Sequence, residues 1–347
     1  MSFACGASPG LDGGMTTRWG ILATGRISRA FATNLQLVPG ASLAAVGSRS
    51  AESAESFARE LGDDDTRAHP TYDALVADPD VDIVYVGSPH SAHLEHARLA
   101  FAHGKPVLCE KPLTLNRAEG EALFAAAGDL FCMEAMWMAC HPLVRHVRER
   151  LEAGEFGTPR QVHADLGFVV SPEASPRMWD PALGAGALLD MGIYPLTFAR
   201  IMLGPFTDVA ATGVVSDSGI DLDVAVAARH EGGSVSALTT SMTSRSPRNA
   251  TLATELGRLD FPDFHHPPYV VWTPADGEPQ RIESPTAVLG TGLGNEAAHV
   301  QDCLRDGRHE SPLVPRAQTL ELLGVMDDVR RVLGVSYPGE EIPHTSG

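Results

Sequence analysis

The stretch Arg18-Trp19-Gly20-Ile21-Leu22-Ala23-Thr24-Gly25-Arg26-Ile27-Ser28 decides the fold. Trp19 to Ala23 is a short apolar run of strand character, and Ile27, Phe31, Leu35 and Val38 then recur at helical spacing. A glycine-bearing turn between a strand and a helix is where a dinucleotide pyrophosphate sits in doubly wound folds. The helix N-terminus there offers free N–H groups and the positive end of a dipole. Aligned on G-x-G-x-x-G, the chain keeps only the middle glycine, Gly25, with Ala23 and Ser28 at the flanking positions. Small residues suffice for the tight turn and for helix packing, whereas the middle position must let the backbone approach the phosphate. Ala23, Thr24, Gly25, Arg26 and Ile27 are therefore the expected phosphate-binding residues.

The bare motif is weak, and its setting gives it weight. Outward from the turn, strand patterns over residues 43–47, 81–86, 107–109 and 130–133 alternate with helical patterns over 51–61, 93–103 and 117–127. This alternation predicts an α/β unit, a doubly wound parallel sheet over residues 18–134. Beyond Pro142 the pattern changes. After a helix over 143–151, strand-like runs follow one another at 161–170, 209–215, 224–229, 234–242, 251–256 and 269–272. A helix over 187–203 interrupts the series and another, over about 320–333, closes it. Strands without intervening helices imply antiparallel pairing, so residues 135–347 read as an α+β domain with an open, mostly antiparallel sheet. Two domains also suit 347 residues, since single cores rarely grow past about 250–300.

The formal charge is −18, from 26 Lys and Arg against 44 Asp and Glu. No basic run forms a phosphate-tracking stripe, so neither nucleic acid nor an anionic membrane is expected as a partner. Residues 1–17 lack the basic start and apolar stretch of a signal peptide and read as a disordered leader. No window reaches the ~20 apolar residues of a membrane span. Cys5, Cys109, Cys132, Cys140 and Cys303 are scattered, odd in number and free of C-x-x-C. That usage fits a reduced, cytoplasmic protein better than a disulfide framework or a zinc ribbon.

Three further stretches carry chemistry. The second strand ends in Gly47-Ser48-Arg49-Ser50, where an acid would bind the adenosine ribose of NAD and a basic residue the 2′-phosphate of NADP. Arg49 offers a planar donor fork and Ser48 a hydroxyl, with no carboxylate before Glu52, so NADP is favoured over NAD. In Val107-Leu108-Cys109-Glu110-Lys111-Pro112 a buried-strand pattern ends in a carboxylate, an ammonium and a proline. Ligands of open α/β sheets bind beyond the carboxyl ends of strands. An ammonium delivered there needs a partner or a chemical task, because an unpaired buried charge is costly. In Gly184-Ala185-Gly186-Ala187-Leu188-Leu189-Asp190-Met191-Gly192-Ile193-Tyr194-Pro195, Asp190 and Tyr194 stand four apart on one helix face, and Pro195 is expected to kink or restart that helix.

These motifs, with Gly87-Ser88-Pro89-His90-x-x-His93 and Met133-Glu134-Ala135-x-Trp137, occur in the order found in the glucose–fructose oxidoreductase / inositol dehydrogenase family. The chain resembles that family from Arg18 to about Glu340. Tyr194, where many relatives carry histidine, makes it look most like the branch of dimeric dihydrodiol dehydrogenases and NADP-dependent xylose dehydrogenases. The resemblance implies a Rossmann domain followed by an α+β domain, a nicotinamide cofactor and a small-molecule substrate. It also implies a homodimer or higher homo-oligomer formed through the second-domain sheet. It places Ser88, His90, His93, Glu110 and Lys111 near the cofactor. The implied reaction is hydride transfer between the nicotinamide and a secondary carbinol of a sugar, cyclic polyol or trans-dihydrodiol. A free tyrosine, with a pKa of about 10, is a poor base at neutral pH, and a neighbouring ammonium would stabilise tyrosinate. Tyr194 is accordingly expected as the acid/base, Lys111 as its electrostatic activator and Asp190 as the orienter. Trp137, Phe168, Arg177 and Trp179 are the expected substrate residues, since aromatic faces stack on sugar rings and arginine donates to hydroxyls.

The same fold also serves hydrolases that retain NAD and regulators that bind the nucleotide without catalysis. Lys111 and Tyr194 together speak against a regulator. The chain departs from the family pattern at Ala139, where relatives usually place an arginine, and at Ala185, where they carry a loop glycine. Both fall where the resemblance puts the substrate pocket, so substrate identity stays open. His90, His93 and His96 form H-x-x-H-x-x-H, a spacing that matches no zinc motif, and no metal is expected. His96 reads as a helix-surface residue. His265-His266 in a proline-rich loop, and His299 beside Glu296 after Gly292-x-Gly294, are further candidates that surface positions explain equally well.

Overall fold

The strand–glycine–helix stretch opens a six-stranded sheet in the computed structural model, which describes residues 16–340. The expected leader lies outside the described residues except for its last two, and of these Thr17 already belongs to the first strand. The first unit runs β1 (Thr17–Leu22), α1 (Arg26–Leu35), β2 (Ala41–Gly47), α2 (Ala51–Leu61), β3 (Arg67–His69), α3 (Tyr72–Val76), β4 (Ile83–Val86), α4 (His93–Ala102), β5 (Val107–Glu110), α5 (Arg117–Ala127) and β6 (Cys132–Ala135). Its strand order is β3-β2-β1-β4-β5-β6, every pair parallel. The order reverses between β1 and β4, and such a switch point opens a crevice at the carboxyl ends of the strands. Beneath it Phe31 stacks on Tyr85 with ring centroids 3.9 Å apart, and Trp19 packs on Phe31. β3 and α3 have no counterpart in the periodicity, because three and five residues are too few to display one.

The second unit runs α6 (Trp137–Cys140), α7 (Pro142–Glu152), β7 (Pro159–Gly167), α8 (Ile193–Leu203), β8 (Phe206–Val215), β9 (Asp221–His230), β10 (Val235–Ser241), β11 (Ala250–Thr254), β12 (Gly257–Phe261), β13 (Val270–Pro274), β14 (Gln280–Ile282), α9 (Leu293–Arg305) and α10 (Arg316–Leu333). Its eight strands are ordered β14-β13-β12-β11-β7-β10-β9-β8. Only β10 and β7 pair in parallel. The run expected over 251–256 is a strand ending at Thr254 that turns into β12, which the reading missed. One face of the sheet buries Val162, Ala164, Val224, Val226 and Leu238 behind α8. The other face is open, with a shallow depression lined by Ala210, Ala225, Ala227 and Ala237.

Contrary to the hydropathy expectation, Pro181–Leu203 is long and apolar enough to cross a membrane by length and composition, and 83% of it is buried inside the fold. Its hydropathy is that of a core helix. The last two helices return to the first unit: α9 packs on α1 and α10 on α5. Thr291 N donates to Asn34 Oδ1 (2.7 Å), and the buried Arg330 guanidinium donates to the Leu115 carbonyl (3.2 Å). Cys109, Cys132, Cys140 and Cys303 are buried free thiols; Cys5 lies outside the described residues.

Candidate active site

The carboxyl ends of β1, β4 and β5 open into a cleft of about 780 Å³. Gly25, Arg26, Ile27, Ser88, His90, Glu110 and Lys111 line it from the first unit, Arg177, Asp190 and Tyr194 from the second, with Trp137 at the junction and Thr291 and Leu293 from the start of α9. Gly25 precedes α1 with no side-chain cap and no acidic residue in the first turn. A Cβ built on Gly25 would meet only the Gly87 carbonyl, at 4.0 Å, so the missing side chain is open cleft at a helix N-terminus. That cradle fits a pyrophosphate. Behind it Ala23 takes φ +78, a left-handed conformation that costs an alanine ~1 kcal/mol. Ala23 and Thr24 shape the turn and do not border the cleft.

Along the crevice, Ser48 is buried and Arg49 exposed at the end of β2. Burial raises the Tyr72 phenol, and the charge of the nearby Arg49 guanidinium opposes that rise. His96 does not sit on the helix surface as expected. Its ring meets Tyr72 edge-on at 4.7 Å and its Nδ1 lies 2.9 Å from Ser88 Oγ. Tyr72, His96 and Ser88 thus meet in series on the route from β2 to the cleft, with Arg49 beside Tyr72. His93 is fully buried, bridging the Ser88 and Pro112 carbonyls at 2.9 and 3.0 Å, which makes it scaffold for the turn and not a wall of the cleft. His90 directs Nδ1 to the Gly184 carbonyl (3.2 Å). The three histidines therefore have separate partners, and no group of metal-ligating side chains occurs among the described residues.

Two buried glutamates hold the strand end that carries Lys111. Glu110 accepts from the Tyr85 hydroxyl (2.6 Å) and the Lys111 N–H (3.2 Å). After the cis Lys111-Pro112 bond, Leu113 N donates to Glu134 Oε1 (2.8 Å). Opposite, Leu188–Gly192 forms a π turn that runs into α8, the kind of irregularity concentrated at functional sites. Leu188 N donates to Asp221 Oδ2 (2.6 Å), and Gly186, at φ +120, leaves room for that carboxyl. A Cβ at position 186 would fall 2.1 Å from Asp221 Oδ1. In the π register Ile193 N donates to the Leu188 carbonyl. Carried two residues further, the register would pair the Asp190 carbonyl with the N–H of residue 195, which Pro195 lacks. That carbonyl instead accepts from Lys111 Nζ at 2.7 Å.

The charged cluster closes around this contact. Lys111 Nζ lies 3.5 Å from Asp190 Oδ1 and 5.0 Å from the centre of the Tyr194 ring. Asp190 Oδ1 also accepts from Arg177 Nη2 (3.1 Å), with His90 Nε2 at 3.7 Å. Burial works against the Asp190 carboxylate, but Lys111 and Arg177 outweigh it and hold its pKa well below the usual range. Burial likewise opposes the Lys111 ammonium, and Asp190, Tyr194 and Glu110 together raise its pKa regardless. For Tyr194 the balance differs from the expectation. Burial pushes the phenol up to about 12, Lys111 being the strongest influence in the other direction. The ligand-free tyrosine is a protonated phenol at neutral pH.

Of the expected substrate residues, Trp137 and Arg177 border the cleft. Phe168 and Trp179 do not: Phe168 is exposed beyond β7, and Trp179 donates its indole N–H to the Val170 carbonyl (3.2 Å). Ala139 and Ala185 are both buried and neither lines the cleft. Sequence reasoning gave no role to Glu134 or Asp221, which anchor the segments carrying Lys111 and Asp190. Burial raises both carboxyls to about 7. An isolated acid within an apolar strand pattern is the signal that marks Glu134; Asp221, two residues from Asp223, has none. Glu296, left open as a surface residue, is fully buried with neither carboxyl oxygen hydrogen-bonded, and burial with Glu110 nearby raises it well above its usual value.

Residues 17–134 match the family described as "Oxidoreductase family, NAD-binding Rossmann fold", and residues 144–260 match "GFO/IDH/MocA C-terminal domain". The chain is 31% identical over 340 residues to a trans-1,2-dihydrobenzene-1,2-diol dehydrogenase of Xenopus laevis, covering 93% of this chain and 100% of that protein. It is 35% identical over 367 residues to a D-xylose 1-dehydrogenase (NADP(+)) of Hypocrea jecorina, covering 93% of each. A 3-ketoreductase from Actinomadura kijaniata, crystallised with NADP and TDP-benzene, superposes with a TM-score of 0.78 at 27% identity, over 91% of this chain and 97% of that one.

Proposed function

We propose a reaction for this chain from one premise: it belongs to the GFO/IDH/MocA oxidoreductase family, whose two domains it carries in order. It is an NAD(P)-dependent dehydrogenase or reductase of CH–OH groups. The substrate is a small molecule with a secondary carbinol flanked by a second hydroxyl, a sugar, cyclic polyol or trans-dihydrodiol. The carrying observation is that the Tyr194 hydroxyl, the Lys111 ammonium and the Asp190 carboxylate converge in the cleft that begins at Gly25.

When bound, the nicotinamide accepts or supplies the hydride. In the reducing direction Tyr194 gives its phenol proton to the substrate carbonyl oxygen; in the oxidising direction tyrosinate takes the hydroxyl proton back. Lys111 stabilises the tyrosinate and donates to the substrate oxygen, while Asp190 keeps the ammonium charged and in place. Arg177, half-exposed at the cleft mouth, donates to a neighbouring hydroxyl. Ser48 and Arg49 favour NADP through its 2′-phosphate, with Tyr72 and His96 lining the same route. The open face of the second sheet is assigned to a second copy of the chain, since a broad face of small residues without a helix over it suits a flat partner.

The test is a spectrophotometric screen of NADP and NAD reduction against sugars and diols, with Tyr194→Phe as the comparison. A substrate should emerge whose turnover falls by orders of magnitude in Tyr194→Phe while cofactor affinity holds. Undiminished turnover would remove Tyr194 from the chemistry. Purified protein carrying bound NAD, with no substrate reducing either cofactor, would point to the NAD-retaining hydrolases instead.

A further inference from the structure

We infer that Trp137 is a positioning residue for proton transfer: its locked indole N–H occupies one side of the Tyr194 oxygen and leaves the tyrosine's own proton to face the cleft. The inference rests on the acid/base reading of Tyr194. Trp137 Nε1 lies 2.6 Å from Tyr194 Oη, with the two ring planes 84° apart. An indole nitrogen can only donate, so the direction of this bond is fixed: the tyrosine oxygen accepts, and its proton must point elsewhere. Among the described residues the Tyr194 hydroxyl donates to no protein acceptor, and both side chains border the cleft. When the proton leaves, the same N–H remains in place as a donor to the phenolate, and a bond to an ionised acceptor is roughly twice as strong as a neutral one. The donor is aimed before charge develops, so no reorganisation accompanies the transfer.

Its surroundings hold the indole in that orientation. Gly292, at φ +113 just before α9, packs against the ring, and a Cβ there would fall 2.7 and 2.9 Å from Trp137 Cε3 and Cζ3. His265 and His266 meet the indole edge-on at 5.8 and 5.5 Å and stack on each other at 4.2 Å. His265 also touches the Tyr194 ring, at 5.5 Å. The histidine pair that the sequence left without a role thus walls the tryptophan–tyrosine contact. This assignment differs from a stacking platform for substrate, the role that Trp137's residue type suggests.

Trp137→Phe separates the two, because it keeps an aromatic face and removes the donor. With a substrate from the screen, kcat should fall ~10-fold or more with KM within about threefold, and the pH at which oxidation levels off should move up by about one unit. In a Tyr194→Phe background the same change should cost less than about twofold, since no hydroxyl remains to be held. Gly292→Ala, which displaces the ring from outside the cleft, should reproduce the pH shift and decides the matter if Trp137→Phe does not fold. A rise in KM with unmoved pH dependence, equal in both backgrounds, would overturn the inference in favour of a platform. A loss in Tyr194→Phe without one in Trp137→Phe sinks this inference alone, whereas full turnover in Tyr194→Phe sinks the underlying reading.

Discussion

Replacing Lys111 with methionine removes the ammonium and nearly preserves side-chain length. The charge sits 5.0 Å from the Tyr194 ring centre. A unit charge at about 5 Å in an effective dielectric of about 20 is worth ~3 kcal/mol, roughly two pK units on the phenol. The phenol already stands at about 12 without ligand, so the substitution moves it further from neutrality and thins the tyrosinate that oxidation requires. Below its pKa the tyrosinate fraction falls ~100-fold; if greater reactivity of the more basic oxygen recovers about one of those two logarithmic units, the rate falls ~10-fold. The assay is the initial rate of nicotinamide reduction from about pH 6 to 10, alongside cofactor affinity. Because the Lys111 ammonium lowers the phenol, the wild-type rate should level off at a lower pH than that of Lys111→Met. Cofactor affinity should change less than about threefold. If both proteins level off at the same pH, Lys111 does not act through Tyr194, and the electrostatic argument fails.

Gly25→Val places a side chain in the open cradle at a residue whose backbone (φ −69, ψ 177) any amino acid adopts. Melting temperature should hold within about 2 °C while cofactor Kd, by calorimetry, rises ~10-fold or more; an unchanged Kd would place the pyrophosphate elsewhere. Arg49→Asp should reverse the preference of kcat/KM for NADP over NAD, with a loss of ~100-fold for NADP, and an unmoved ratio would remove Arg49 from cofactor selection. Asp221 is raised by burial to about 7, against about 3.9 unfolded, so its stabilising share is complete below about pH 4 and is lost as the pH climbs to about 7. Asparagine imitates the protonated form and still accepts from Leu188. The melting temperature of Asp221→Asn relative to wild type should therefore improve between about pH 5 and 8 in thermal scans; a constant difference contradicts the assignment.

What the sequence disclosed was local. The β1–α1 turn, the Glu110-Lys111-Pro112 strand end and the spacing of Asp190 and Tyr194 each lie within a dozen residues, where periodicity and turn chemistry speak directly. The π turn was hidden because its register depends on Asp221, more than thirty residues downstream. Phe168 was misplaced because the strand expected to reach residue 170 ends at Gly167, and the segment beyond leaves its ring exposed. Trp179 was drawn toward the cleft by residue type, while its indole satisfies a carbonyl next door. His96 and Glu296 looked like surface positions by spacing, and helices from elsewhere in the chain cover them. β12 and β14 went unseen because their alternation is only five and three residues long.

The return of α9 and α10 to the first unit bears on how the protein comes apart. Gly120 of α5 lies so close to α10 that a Cβ would approach Leu323 to 2.7 Å, and Asn116 and Arg330 share Glu340. A fragment ending near residue 134 would keep every strand of the parallel sheet yet lose the helices that shield α1 and α5 from water. Thermal denaturation of the whole chain should accordingly show the two sheets coming apart together, since α10 packs on both α5 of the first unit and β8 of the second.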